Sequence, residues 1–221
     1  MERVVTRKPT LVSAACLIVS LSALGAAAWP QFGGPSRNFK PDATDLAAKW
    51  PPGGPRQVWS RALGEGHSSI VGDGKTLHTM YRPAGLTSLV RRSQEEVVVA
   101  LNPANGETYW EHRIEGPTSG LNFEYGAGPH STPLIAGSRL FAASSTGRLM
   151  ALDRRSGREI WAKELIKEIG GTRGTRVDRG YACSPIAYRD TIIMMVGERG
   201  HAVMAFDQAD GRCQARIIAF R

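Results

Sequence analysis

Two histidines occupy the same position in two similar stretches of the chain. His67 begins the stretch HSSIVGDG and His130 begins HSTPLIAG, while Ala182 stands at this position in a third stretch. Imidazole nitrogens bind metal ions and transfer protons near neutral pH. Two histidines without a third ligand make a weak metal site, so we favour strand-end histidines with ordinary hydrogen bonds, and we predict no metal. A pair that faces a common ligand remains the alternative.

A glycine-rich basic segment, residues 170–176, reads GGTRGTR. Its backbone N–H groups, together with the guanidinium groups of Arg173 and Arg176, could hold an anion. The segment lacks the strand–loop–helix arrangement that is usual for phosphate-binding loops. We therefore interpret it as a surface loop and keep Arg173 and Arg176 as candidate ligand contacts.

Carboxylates that could act as a general base recur at one place in the chain. Asp153 and Asp207 hold equivalent positions in two repeats, and Asn102 holds that position in a third. A turn role explains the exchange of Asn for Asp, whereas the role of a catalytic base does not. Neither a Walker-type phosphate loop nor a nucleophile-elbow motif occurs. We predict no catalytic residues, and we expect that the protein is not an enzyme.

The first 28 residues have the pattern of an export signal. Basic residues begin the chain, the run from Leu11 to Ala27 carries no charge, and Ala26, Ala27 and Ala28 offer the small side chains that a signal peptidase recognises. We predict cleavage after Ala28 and a periplasmic or secreted product. A membrane anchor is the alternative, although about 17 residues is at the short limit for a transmembrane helix.

The cysteines add no metal site or redox motif to this prediction. Cys16 lies within the signal, and Ser13 stands where a lipoprotein signal would have an aliphatic residue, so lipidation is not the favoured interpretation. Cys183 and Cys213 form no CxxC pair and have no histidine at metal-ligand spacing. An exported protein can form disulfides, so pairing of these two cysteines stays open.

Composition indicates a folded protein that is rich in turns. The 221 residues are 42% hydrophobic and 22% charged, with 25 glycines and 13 prolines. The net charge of +8 is scattered along the chain rather than clustered. We therefore expect a solvated basic exterior and no nucleic-acid partner.

A repeat of 51 and then 54 residues defines the fold. Residues 97–114 read VVVALNPANGETYWEHRI, and residues 148–165 follow the same pattern of apolar run, Ala, Asn or Asp, Gly and Trp; residues 202–219 follow it as far as the Gly. Each copy predicts a β-hairpin with a glycine in its turn. The repeated positions, which we take as structural anchors, are Trp59, Ala100, Gly106, Trp110, Ala151, Gly157, Trp161, Ala205 and Gly211.

A second hairpin precedes each of these repeats, so that every period holds about four strands. Four strands in about 50 residues is the size of a β-propeller blade, and an all-β partial propeller of four-stranded antiparallel blades is predicted. The predicted segments are an N-terminal segment (29–66) and blades over 67–114, 130–165 and 181–221, the last incomplete. Trp59 is expected to lie in the strand that closes the ring, and His67 and His130 at the mouth of its channel.

The first blade carries an insertion at residues 82–96. The spacing from Gly74 to Ala100 exceeds the matching spacing in the second blade by 12 residues. We predict a protruding hairpin loop whose charges, at Arg91, Arg92, Glu95 and Glu96, form a solvated tip.

The hairpin repeats resemble the tryptophan-docking repeats of quinoprotein-like (PQQ-like) β-propellers, and residues 29–38, WPQFGGPSRN, resemble the N-termini of exported bacterial members. The resemblance implies that each Trp packs between neighbouring blades, near the Ala and Gly of the repeat. This chain departs from the family pattern at Ala215, where a Trp is expected. Family members have seven or eight blades, so about three blades imply a truncated product or partial record, or a ring whose other blades come from another chain.

The resemblance also bears on function. PQQ-dependent dehydrogenases of this family hold their quinone with a disulfide between adjacent cysteines, a Trp platform and a Ca²⁺ ion, and this chain has no adjacent cysteine pair. We therefore expect an exported, non-catalytic binding or scaffolding module with no cofactor and with a protein or cell-envelope partner. The alternative is the N-terminal part of a PQQ-dependent quinoprotein dehydrogenase.

Overall fold

The computed structural model describes residues 28–41, 48–85, 93–122, 124, 126, 128–170, 180–197 and 202–217. All the regular secondary structure in these residues is β-strand, arranged in three four-stranded antiparallel sheets. The strands of the first sheet are β1 (Val71–Gly72), β2 (Leu77–Tyr81), β3 (Glu95–Leu101) and β4 (Thr108–Glu115). Those of the second are β5 (Leu134–Ala136), β6 (Arg139–Ala143), β7 (Arg148–Asp153) and β8 (Glu159–Glu164), and those of the third are β9 (Ile186–Tyr188), β10 (Thr191–Met195), β11 (Val203–Asp207) and β12 (Cys213–Ile217).

Each sheet is a meander in which strands that are consecutive in the chain are also neighbours in the sheet. The short first strands contact one another in chain order, β1 with β5 and β5 with β9, so they lie nearest a common axis. The last strands of the sheets, β4, β8 and β12, lie furthest from it. This arrangement confirms the predicted all-β partial propeller, with sheets 1 to 3 as blades 1 to 3. None of the described residues forms a helix of the length and apolar character needed to cross a bilayer.

The hydrophobic core lies between the blades. The central strand β3 is buried from Glu96 to Leu101 because neighbouring layers cover both of its faces. The outer strand β4 is mostly exposed, and only its Ile114 is fully buried. One cluster joins Val71, Val98 and Ile114 of blade 1 to Leu140 and Met150 of blade 2, and a second cluster joins blades 2 and 3. Face-to-face packing of this kind is how propeller sheets bury their apolar surfaces.

Residues 29–40, which we call the N-terminal strap, run across the inner strands of all three blades. Trp29 exchanges backbone hydrogen bonds with Gly72 of β1, at 2.8 and 2.9 Å. The Ile135 N–H of β5 donates to the Pro30 carbonyl, and the Arg37 side chain donates to the carbonyl of Ala187 in β9. The strap therefore joins three strands that are distant in sequence.

Residues 56–64, around Trp59, have no regular secondary structure and form no ladder with another described strand. The Trp59 side chain packs against blade 1, beside Leu63 and the buried valines of β3. This is the place that an outer strand of a preceding blade would take, and the ring-closing role of Trp59 stays a prediction.

The insertion in blade 1 departs from the predicted solvated tip at one residue. Arg91 and Arg92 lie outside the described residues, and Glu95 is exposed at the start of β3. Glu96, in contrast, is fully buried and pairs with the buried Arg82 at 2.6 Å. The prediction for Glu96 is wrong because β3 begins at Glu95, and the alternation of a strand then turns the next side chain towards blade 2.

Candidate functional site

Three tryptophans make the same contact with the blade that follows them. The indole N–H donates to a turn carbonyl of the next blade, from Trp59 to Pro103 at 2.8 Å, from Trp110 to Arg154 at 3.1 Å and from Trp161 to Gln208 at 3.0 Å. Each ring lies on the turn glycine of that blade. These glycines are Gly106, Gly157 and Gly211.

Two features of the structure require glycine at these turn positions. Their φ angles are 75, 72 and 71°, in the left-handed region that side chains disfavour. A Cβ added to Gly106 or Gly211 would lie 2.7 Å from a tryptophan ring atom, and one added to Gly157 would lie still closer to Trp110. The backbone conformation and the close approach of the ring therefore both require glycine.

In blades 1 and 2, the repeat alanine lies between two larger side chains on one face of the blade. Ala100 pairs with His78 on one side and Trp110 on the other, and Ala151 pairs in the same way with Phe141 and Trp161. The small alanine lets the outer rings approach, with centroids 5.6 Å apart for His78 and Trp110. In blade 3, Ala205 lies between Ile193 and Ala215.

The repeated Asn and Asp residues cap the hairpin turns. Asn102 and Asp207 each accept a backbone N–H two residues on, at 2.9 and 2.7 Å. Asp153 accepts the N–H and the hydroxyl of Ser156. The Ser156 hydroxyl and N–H lower the pKa of Asp153 below its ordinary value. A carboxylate held in this way is a hydrogen-bond acceptor in a turn, and it is poorly suited to take up a proton.

His67 and His130 stack on each other. Their ring centroids are 5.0 Å apart and the rings are 11° from parallel. They precede β1 and β5, so they lie at the end of the inner strands where the chain enters each blade. In the part of the chain that the structure describes, they do not form part of any group of three or more His, Cys, Asp or Glu residues that could hold a metal. That this pair lines the mouth of a channel stays a prediction.

The structure describes only some of the other sequence-based candidates. Arg173 and Arg176 lie outside the described residues. Cys183 and Cys213 are both free thiols, the first partly buried beside blade 3 and the second exposed on β12.

A buried polar cluster joins blade 1 to blade 2, and no motif in the sequence marks it. The Arg82 guanidinium donates to Glu96 at 2.6 Å and to the Gly116 carbonyl at 2.6 Å. Glu96 also accepts the N–H of Ser145 at 3.0 Å and the Ser145 hydroxyl. Burial raises the pKa of Glu96, and Arg82 and the Ser145 N–H oppose that rise. The cluster fixes the base of the insertion against the neighbouring blade.

The N-terminal strap presents two aromatic rings to solvent. Phe32 is 49% exposed and Phe39 is 62% exposed, and their rings meet edge to face with centroids 5.1 Å apart. Arg37 and Phe39 have φ angles of 55 and 59°, which non-glycine residues rarely adopt. This conformation is held by two hydrogen bonds that Arg37 donates, to Gln31 and Ala187, and by the packing of Trp29 on Gly34.

A cleft of about 570 Å³ separates the outer strands β4 and β8. Arg148 spans its base and pairs with Glu159 at 2.9 Å and with Glu164. Arg113, on the opposite wall, pairs with Glu95 at 3.1 Å and with Glu111 at 2.8 Å. The cleft is lined by three cations and three carboxylates, so its charges balance; these residues are Arg113, Arg148, Lys167, Glu115, Glu159 and Glu164.

Comparison with known proteins places these repeats in a family. The family model described as outer membrane protein assembly factor BamB matches residues 93–214, which is more than half of the chain. BamB of Shewanella oneidensis is 42% identical over 60 residues, which cover 27% of this chain and 15% of that protein. BamB of Escherichia coli is 32% identical over 68 residues, 31% of this chain and 17% of that protein. The matched segment is thus a small part of these relatives.

Solved structures with a similar arrangement include BamB of Moraxella catarrhalis, at a TM-score of 0.44 and 16% identity, over 73% of this chain and 39% of that one. A quinohemoprotein alcohol dehydrogenase from Pseudomonas putida aligns with a TM-score of 0.45 and 18% identity, over 74% of this chain and 22% of that one. On the family-model match over the blades described above, the chain belongs to the PQQ-like β-propeller repeat family that includes outer membrane protein assembly factor BamB.

Proposed function

We propose that this protein is a non-catalytic binding module of the cell envelope, which holds a protein partner on the surface formed by its N-terminal strap. The export signal predicted for residues 1–28 supports a periplasmic location. The relatives that match are named for the assembly of outer membrane proteins, which makes that process the one in which to look for a partner.

The observation that carries this proposal is the exposed pair Phe32 and Phe39. Aromatic residues are enriched where proteins bind one another, and a partner that covers these rings would remove a large apolar surface from water. The strap is held by contacts to β1, β5 and β9, so it loses little conformational freedom on binding. Unfavourable φ angles at Arg37 and Phe39 are the kind of local strain that clusters at binding surfaces.

Photo-crosslinking in cells that carry the gene tests the proposal. Benzoylphenylalanine replaces Phe39 in the full chain, and the matched control carries it at Ile217, which is 64% exposed on the edge strand β12. We expect a discrete crosslinked product in the envelope fraction for position 39 and none for position 217. Mass spectrometry of that product identifies the partner.

A second substitution separates specific binding from chance proximity. Phe32→Ser removes half of the aromatic pair and leaves the backbone hydrogen bonds of the strap in place, so the crosslink from position 39 should weaken strongly. Equal crosslinking from positions 39 and 217, or a crosslink that Phe32→Ser does not change, contradicts the proposal.

A further inference from the structure

A second cleft, of about 410 Å³, lies where blade 1 meets blade 2. Its walls are the turn between β1 and β2, the outer strand β4 and the turn between β7 and β8. We call it the basic cleft, and its lining residues are Lys75, Thr76, Tyr109, Trp110, Arg154 and Arg155. Within this cleft, the Asp73 carboxylate forms an ion pair with Arg154 at 2.8 Å. Three cations and one carboxylate leave the basic cleft with a positive charge.

The architecture of the junction does not require these cations. Register places Lys75 at the position of Ser138 in blade 2, since His78 and Phe141 both pair with the repeat alanine. At the next junction, Gln208 and Ala209 take the places of Arg154 and Arg155, and Trp161 still donates to a carbonyl there, that of Gln208. At the preceding junction Trp59 docks on a turn that contains Pro103 and Ala104. The same tryptophan contact thus forms on turns that carry no arginine at the positions of Arg154 and Arg155.

His78, at the same junction, also differs from the residue at the equivalent position of blade 2. Its ring is fully buried against Trp110, and both of its nitrogens lack a hydrogen-bond partner among the described residues. Blade 2 places the apolar Phe141 at this position, so packing alone does not call for a histidine. Burial lowers the pKa of His78 to about 4, opposed by Asp73 and reinforced by Arg154. The histidine is therefore neutral at neutral pH. The charge of the basic cleft comes from the cations at its surface.

The shape and exposure of the cleft indicate what kind of anion it suits. Lys75 and Arg155 are exposed and lie on different blades, so each would contribute little to holding one small ion. Several carboxylates spaced along a chain can instead meet these cations together. Tyr109, which is 56% exposed beside them, offers an aromatic surface of the type found in protein interfaces.

We propose that the basic cleft binds a carboxylate-rich segment of a protein partner, through Lys75, Arg154 and Arg155 with Tyr109 beside them. The inference deepens the proposed scaffold function and rests on it, but it concerns a surface that does not include Phe32 or Phe39. Attraction between opposite charges at such a surface speeds association and selects against basic partners.

The indole N–H signals of the three docked tryptophans provide an internal test by NMR. Trp110 lies in the basic cleft, whereas Trp59 and Trp161 make the same contact at other junctions. The ¹⁵N-labelled full chain is titrated with a short peptide of glutamate, leucine and glycine, and then with the same peptide carrying glutamine for glutamate. We expect the Trp110 signal to shift with the acidic peptide only, and the Trp59 and Trp161 signals to stay in place.

Matched variants show whether the cations of the cleft are responsible. The double variant Lys75→Ser with Arg155→Ala copies residues from other blades and keeps the backbone hydrogen bond from Lys75 to Asp73. We expect about tenfold weaker peptide binding. The control, Arg212→Ala with Arg216→Ala, removes the same charge from exposed positions in blade 3, away from the cleft, and should bind as the wild type does.

Two results overturn the inference. Equal weakening in the two double variants would mean that net charge attracts the peptide and the cleft does not. Displacement of the peptide by inorganic phosphate at moderate ionic strength, with the same shift of Trp110, would mean that the cleft takes a small anion rather than a protein segment. Neither result affects crosslinking from Phe39, so this inference and the proposed function fail separately.

Discussion

The turn glycine of each repeat is constrained both by its left-handed backbone conformation and by the tryptophan ring packed on it. Substitutions can separate these two constraints. Gly157 combines a φ of 72° with a tryptophan ring at the place where a Cβ would stand. Gly137 has a φ of 57° and nothing within 4 Å of that place. The two glycines therefore share the backbone constraint but only one has the steric constraint.

Gly157→Ala should lower the free energy of unfolding by about 3 kcal/mol, because left-handed backbone strain and displacement of the Trp110 ring both contribute. Gly137→Ala, which has only the strain, should cost about 1 kcal/mol. Urea unfolding followed by tryptophan fluorescence measures both. Equal losses in the two variants would show that the ring does not press on the glycine.

His78 links stability to pH. Burial lowers its pKa to about 4 from 6.5. Above pH 6.5 the ring is neutral in both the folded and the unfolded chain, so stability there is independent of its titration. Between these values the unfolded chain binds a proton that the folded chain excludes, and the free energy of unfolding falls as the pH decreases, by about 3 kcal/mol near pH 4.

His78→Phe copies the residue that blade 2 carries at Phe141 and should remove this pH dependence. The variant should also gain about 1 kcal/mol above pH 7, because it removes a buried polar ring that has no hydrogen-bond partner among the described residues. Urea unfolding from pH 8 down to about pH 4.5 compares the two proteins. A difference in stability that stays constant with pH rules out His78 as the titrating group.

At the scale of the elements, the link between blades 1 and 2 depends on a buried ion pair. Glu96 and Arg82 are both fully buried, whereas the neighbouring Glu95 forms an exposed pair with Arg113. Removing one partner of a buried pair leaves a charge without compensation, while exposed pairs contribute little.

Glu96→Gln should therefore lower the free energy of unfolding by about 3 kcal/mol, and Glu95→Gln by less than about 1 kcal/mol. Denaturant unfolding measures the loss, and amide hydrogen exchange in β2 and β3 shows whether it is local. If the two substitutions have the same effect, Arg82 and Glu96 do not hold the base of the insertion.

The repeat made the blades predictable from sequence. Ala100 and Gly106, with their equivalents, identified the hairpins β3–β4, β7–β8 and β11–β12, because each depends on contacts within one short segment. The N-terminal strap was missed because Arg37 meets Ala187 across 150 residues, and such a contact leaves no periodic pattern. Glu96 was assigned to solvent because it stands at the end of an insertion. Lys75 and Arg155 lie on different blades and line one cleft only when those blades dock, so no pattern in the sequence indicates the basic cleft.

At the scale of the whole molecule, the absence of a cofactor remains a prediction. The sequence has no adjacent cysteines to hold a quinone as the PQQ-dependent dehydrogenases do. Adding PQQ and Ca²⁺ to the full chain should leave the tryptophan fluorescence and the quinone absorption unchanged. Saturable binding would instead favour the alternative that this chain is the N-terminal part of a quinoprotein dehydrogenase.

Both proposals depend on the three blades forming one rigid body through the docked tryptophans, and hydrogen exchange of the indole N–H groups tests this most directly. Trp50, which is 63% exposed, is the internal control. We expect the Trp59, Trp110 and Trp161 indole protons to be protected well beyond that of Trp50, and Gly157→Ala to reduce protection chiefly at Trp110. Exchange of all three at the rate of Trp50 would contradict this expectation, because the blades would then not be docked in solution.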